Sequence, residues 1–181
     1  DRRQAHPAAL IQMPKLTPEQ RRRLQAAEQA QSLKLDALLI TSLTNVRYLT
    51  GFTGSSANLL LYRNGRAVLF TDPRYTVQSK QQVNCKIRIA KGPLTGAIVQ
   101  EAARARLGRI GFEPESINLA RYEGFTGSLP SRAKLTPAPE GLIAKLRMVK
   151  DAGEIAEIRK AVDLNSQALE KALRRLKPGM T

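Results

Sequence analysis

Residues Ala57–Thr71, ANLLLYRNGRAVLFT, decide the fold. Two apolar, β-prone runs flank Asn64 and Gly65, a pair that tolerates the positive φ of a two-residue type I′ turn. The stretch is therefore predicted to be a β-hairpin with arms over 57–63 and 66–71. Upstream, Ala37, Leu38, Leu39 and Ile40 form a short continuous apolar run, the pattern of a strand covered on both faces. Before it, Thr17, Pro18, Glu19 and Gln20 combine an N-cap, a proline at the first helical position and a glutamine placed to reach back to the cap. Leu24, Ala27, Ala30 or Gln31, and Leu33 continue at helical spacing, so a helix is expected to about Leu33.

Downstream of the hairpin, strands and helices alternate. Asp72 is placed to cap a helix from Pro73 to Val83. Cys85–Ala90 reads as a strand, 97–107 as a helix, Arg109–Glu113 as a strand, and 119–129 as a helix interrupted by Gly124 and Gly127. A short strand near 133–136 precedes the Pro137 and Pro139 break, and helix resumes over 140–148. Asp151 and Glu154 form a second capping box. The helix they open carries Ile155, Ile158, Val162, Leu169, Leu173 and Leu176 at helical spacing, and Pro178 with Gly179 stops it. These periods predict an α/β fold, a mixed β-sheet flanked by helices, with an additional C-terminal helix. Residues 1–16 are expected to be a flexible arm, 17–147 the α/β domain, and 148–181 a linker and helix.

Composition narrows the chemistry. The 181 residues, 20.0 kDa, are 42% hydrophobic but only 4% aromatic with no Trp, so the core must be aliphatic. One cysteine, Cys85, rules out an intramolecular disulfide, and one histidine, His6, rules out His-rich metal sites and leaves a Ser/His/Asp triad without a placed base. No apolar run approaches the ~20 residues of a membrane helix, and no secretory signal opens the chain, so a cytoplasmic location without membrane contact is expected. The chain begins at Asp1, which suggests a processed or cut product.

The formal net charge is +15. It is spread as +4 over residues 1–34, +6 over 35–131 and +5 over 132–181, and the longest basic run is Arg21, Arg22, Arg23. Nucleic-acid binders cluster cations on one element and interleave aromatics. A solvated basic surface is the simpler reading, and a stand-alone basic module binding nucleic acid or an acidic protein is the alternative.

Three motifs invite a functional reading. Gly51–Ser56, GFTGSS, has the glycines of a phosphate cradle but no following Lys, and it leads into a strand, so a tight turn is favoured. GFTGS recurs at Gly124–Ser128, 73 positions later, and aligning Asn45 with Asn118 gives six identities in eleven residues. Local convergence is favoured over duplication. Asp36, Asp72 and Glu113 sit at predicted strand ends, where a nuclease-like hydrolase would gather metal ligands, but capping suits Asp72 better.

Asn45–Ser55 (NVRYLTGFTGS), Phe70–Tyr75 (FTDPRY), Gly111–Glu113 and Leu146–Lys160 (LRMVKDAGEIAEIRK) resemble, in order, the N-terminal region of the Xaa-Pro peptidases, the aminopeptidase P, prolidase and creatinase group. The resemblance extends from about Leu35 to the end. It implies a creatinase-type N-terminal domain, related in topology to ribonuclease H, followed by a "pita-bread" catalytic domain. That second domain holds two divalent, manganese-type ions on two Asp, one His and two Glu, none of which is matched here. The helix after residue 148 is accordingly expected to open a truncated catalytic domain. The resemblance further implies a homodimer, docking to the catalytic domain, and proline-containing peptides as substrates of the full enzyme. The fragment itself would be inactive and without cofactor. Arg47, Tyr48 and Arg74 are the candidate substrate-bordering residues, since an Arg can pair a peptide carboxylate bidentately; the favoured alternative is that Tyr48 and Tyr75 pack under the hairpin while Arg47 and Arg74 bind local carbonyls. Asp72 is placed to orient Arg74.

Overall fold

A computed structural model describes residues 16–177 and Gly179. The expected arm over 1–16 therefore lies, Leu16 apart, outside the described residues. Contacts divide the chain into two compact units, the first ending at Leu142 and the second beginning at Ile143.

The first unit contains six strands, β1 (Ala37–Ile40), β2 (Ala57–Tyr62), β3 (Ala67–Thr71), β4 (Lys86–Ile89), β5 (Arg109–Phe112) and β6 (Lys134–Pro137), in the order β4-β3-β2-β1-β5-β6. β2 runs antiparallel to β1 and β3, while β1–β5, β3–β4 and β5–β6 are parallel. The sheet is mixed because the chain reverses twice, from β1 through α2 into β2 and through the hairpin into β3, while the later connections cross over through helices. The helices are α1 (Pro18–Ser32), α2 (Leu43–Thr50), α3 (Thr76–Gln82), α4 (Leu94–Arg104) and α5 (Leu119–Thr126), with a 3-10 turn at Pro73–Tyr75.

Strand alternation builds two cores. Ala37, Leu39, Leu60, Tyr62, Val68, Phe70, Ile110 and Phe112 meet Ile98 and Ala102 of α4 and Phe125 of α5. Their neighbours Leu38, Ile40, Leu59, Leu61 and Leu69 are equally buried and face the α1–α2 side. The continuous apolar run at Ala37–Ile40 is explained by this: all four residues are buried, two on each face.

Several local expectations change in detail. The hairpin turn is a three-residue loop, not type I′. Tyr62 N–H donates to the Arg66 carbonyl at 2.8 Å, Gly65 N–H donates to the Tyr62 carbonyl at 2.9 Å, and the positive φ falls on Gly65 (+81°) but not on Asn64. The Asn64 side-chain oxygen accepts from Arg66 N–H at 3.1 Å, which favours a type I turn closed by a left-handed glycine. On α1 the capping box forms as read, but the buried stripe is Arg23, Ala26, Ala27 and Ala30. Small residues let the helix approach strands already filled with leucine. Leu24 is displaced to the rim, where it lies against Gly65. Sequence reading missed α2 entirely.

The GFTGS repeat is not a structural repeat. β1 and β5 do pair with the 73-residue offset, Ala37 opposite Ile110 and Leu39 opposite Phe112. Yet Gly51 ends α2 in the left-handed region (φ +78°), whereas Gly124 lies inside α5, and the two helices cover opposite faces. The second unit holds most of α6 (Leu142–Met148) and all of α7 (Ala152–Leu173), which opens on the expected Asp151–Glu154 box. Ile155, Ile158, Val162, Leu169 and Leu173 on α7 are exposed.

Candidate functional site

The candidate residues gather where β3 ends and the loop after α2 enters β2. Asp72 caps the 3-10 turn as its sequence position implies, its Oδ1 accepting from Arg74 N–H at 3.0 Å. The same carboxylate takes the Arg74 guanidinium in a fork, Nε to Oδ1 at 3.0 Å and Nη2 to Oδ2 at 2.9 Å. That fork holds the Asp72 carboxyl well down, to about 2, and raises Arg74 further above its ordinary value. Arg74 is otherwise exposed, with its guanidinium 5.5 Å from the Tyr75 ring centroid.

Tyr75 is itself fixed. Its ring packs edge-on against the buried Phe52 at 5.5 Å, and its hydroxyl shares a 2.7 Å hydrogen bond with Ser55 Oγ, which draws the phenol pKa down. Gly54 permits this packing, because a Cβ there would run into the Phe52 and Tyr75 rings. The glycine loop is thus a packing device tied to α3 as well, through Gln82 accepting from Thr53 N–H at 3.0 Å.

Arg47 and Tyr48 lie on α2 and are set differently. Arg47 is exposed in the last turn of the helix. Tyr48 is turned to α1, with the Arg22 guanidinium 4.5 Å from its ring centroid. Arg22 also donates to the Tyr48 carbonyl at 3.2 Å, and Arg23 donates to the Leu49 carbonyl at 2.8 Å. The basic run on α1 therefore serves the negative C-terminal end of α2. Arg23, only 4% exposed, also reaches Asn84 Oδ1 at 2.8 Å, and burial lowers its pKa. The structure brings Arg74, Asp72, Tyr75 and Ser55 into one cluster and places Tyr48 in another.

Two buried carboxylates escaped the sequence reading as clusters. Glu113, 4% exposed at the end of β5, accepts from Thr41 N–H at 2.8 Å, Ser42 N–H at 3.0 Å and Ser116 Oγ at 3.1 Å, and from the Asn45 amide through its other oxygen. Ser42 provides no side-chain cap to α2; the Glu113 carboxylate replaces it. The signal was an acid directly following a buried strand. Glu101 of α4 lies between Arg88 at 2.9 Å and Arg104 at 2.6 Å and accepts from the Tyr62 hydroxyl at 3.1 Å. Burial, and then the Glu101 charge, push that phenol up to about 12.

The nuclease-like triad does not assemble. Asp36 precedes β1 and accepts from Gly108 and Arg109 N–H, both at 2.9 Å, at the start of β5. Those bonds lower its pKa. Glu113 sits at the opposite end of the same paired strands, and Asp72 is committed to Arg74. Among the described residues no group of three or more His, Cys, Asp or Glu is placed to hold a metal ion, and no helix is long and apolar enough to cross a membrane.

The described chain is thus a mixed six-stranded α/β sheet flanked by helices, followed by a second, helical unit. The profile of the Creatinase/Prolidase N-terminal domain matches residues 21–149, and the chain belongs to that family. The uncharacterized peptidase YqhT of Bacillus subtilis is 37% identical over 153 residues, covering 82% of this chain and 42% of its own length. An X-Pro aminopeptidase from Thermotoga maritima superposes with a TM-score of 0.76 at 28% identity, over 85% of this chain and 45% of that one. The isolated N-terminal domain of the cytoplasmic peptidase PepQ from Mycobacterium tuberculosis superposes with a TM-score of 0.65 at 33% identity, over 70% of this chain and 98% of that one. The chain spans less than half the length of the curated relatives it matches.

Proposed function

We propose that this chain is the non-catalytic N-terminal domain of a metal-dependent Xaa-Pro peptidase, where it supports dimerisation and shapes access of proline-containing peptides. The observation that carries the reading is the family match over residues 21–149, together with a likeness that covers 98% of an isolated N-terminal domain. The exposed apolar stripe of α7 suits a helix that packs into a following catalytic domain. The enzyme's two divalent ions belong to that domain. Glu113, Asp36 and Asp72 do not fit them, since each is taken up by donors of the chain itself, and no step of hydrolysis is assigned to these residues.

Arg74 is the proposed substrate-bordering group. Asp72 uses the Nε and Nη2 side of its fork, which leaves the outer Nη1/Nη2 edge for a peptide carboxylate. Arg47 supplies a second exposed cation, and Tyr48, held under Arg22, is a positioning residue for the same helix. A cytoplasmic enzyme acting as a homodimer is the setting this reading gives.

The test is steady-state hydrolysis of an Xaa-Pro peptide by the polypeptide that joins this domain to its catalytic domain. Arg74→Ala raises KM several-fold with kcat nearly unchanged; an unchanged KM removes Arg74 from the substrate path.

A further inference from the structure

We propose that the free edge of β4 is a docking edge for an extended acidic peptide segment, which adds to the sheet as a seventh strand. Among the described residues β4 pairs only with β3, so one side of its backbone has no partner strand there. Ala90 N–H donates to the Thr71 carbonyl at 2.8 Å, continuing the ladder. Parallel pairing alternates, so Lys86, Arg88 and Ala90 direct their backbone groups to β3 while Ile87 and Ile89 direct theirs outward. Two N–H groups and two carbonyls thus stand ready for a further strand.

Beside this edge runs a groove of about 700 Å³ between β4 and the start of α4. Gly96, Ala97 and Gln100 line it on the α4 side, and residues 86–93 line the other. Its charged lining is Lys86, Arg88 and Lys91, with no acid. Glu101, buried between Arg88 and Arg104, takes up the Arg88 charge and leaves Lys86 and Lys91 as the exposed cations of the groove. Arg88 Nε is moreover a buried donor without a partner. Lysines on a strand edge discourage pairing with an identical edge, which would bring like charges together. They favour instead a strand whose carboxylates lie toward the α4 side, in register with Lys86 and reaching Lys91 beyond the end of β4. Charge therefore selects an acidic segment over a second copy of this chain.

The test uses the 181-residue chain and a labelled Val-Glu-Val-Glu-Val-Glu peptide, followed by fluorescence anisotropy and by amide spectra of Ile87 and Ile89. A Val-Lys counterpart and a version N-methylated at alternate amides are the controls. The acidic peptide binds and shifts both amides, the lysine peptide does not bind, and N-methylation abolishes binding. The double variant Lys86→Glu/Lys91→Glu, at two exposed side chains, weakens binding about tenfold or more, the scale of two surface charge contacts. Absence of binding, equal binding of the N-methylated peptide, or unmoved Ile87 and Ile89 amides overturns strand addition. A concentration-dependent dimer that protects the same amides makes the occupant a second copy and equally overturns the proposal.

Discussion

Glu113 and Thr41 join the ends of two parallel strands: the carboxylate at the close of β5 accepts the backbone N–H that follows β1 at 2.8 Å and, through Ser42, opens α2. The helix carrying Arg47 and Tyr48 is therefore aimed by an acid 68 or more residues away in sequence. Glu113→Ala leaves two backbone donors and the Asn45 amide without this acceptor, and is expected to cost about 2–4 kcal/mol, with Glu113→Gln costing less. Urea unfolding midpoints of the three proteins measure it; equal midpoints would show that water replaces the carboxylate freely.

The Asp72–Arg74 fork predicts an acid-sensitive loop. Folding lowers the Asp72 pKa from 3.8 to about 2, so the fork's contribution is complete above the ordinary carboxylate range and is lost as pH falls through about 2. A carboxyl titration followed by NMR should place Asp72 near that value. In Arg74→Ala it should return toward about 3.9, the range of an unpaired aspartate.

Gly54 is predicted to resist substitution. Gly54→Ala forces apart the Phe52 and Tyr75 rings, for a loss of about 1–3 kcal/mol of the kind that overpacking causes. Thermal unfolding reads the loss, and a changed Tyr75 hydroxyl environment in NMR distinguishes ring displacement from a general loosening.

Arg23→Met tests the arginine pair at the end of α2. It keeps much of the volume but removes the bonds to the Leu49 carbonyl and Asn84, and should cost about 1–3 kcal/mol. Hydrogen exchange at the α2 C-terminus should rise selectively; uniform exchange would place the loss elsewhere.

Much of the fold is legible in local chemistry. The capping boxes at Thr17 and Asp151, the Ala37–Ile40 run and the hairpin around Asn64–Gly65 each follow from a few adjacent residues. What local reading loses is long-range. α2 is short, and its start is held by Glu113 from another strand and not by the side chain of its N-cap residue Ser42, so its own sequence does not show what fixes it. The face of α1 turned inward is set by leucines on the sheet, which is why alanines and Arg23 are buried and Leu24 is not. At the candidate site, Asp72 beside Arg74 was readable at a spacing of two residues, whereas the Phe52–Tyr75 packing that holds the turn was not.

The central claim is that this domain contributes access and assembly but no chemistry. The most direct measurement is hydrolysis of an Xaa-Pro peptide, with manganese supplied, by the 181-residue chain alone and by the polypeptide joining it to a catalytic domain. Turnover by the joined polypeptide only is the predicted result; turnover by the 181-residue chain alone would contradict it.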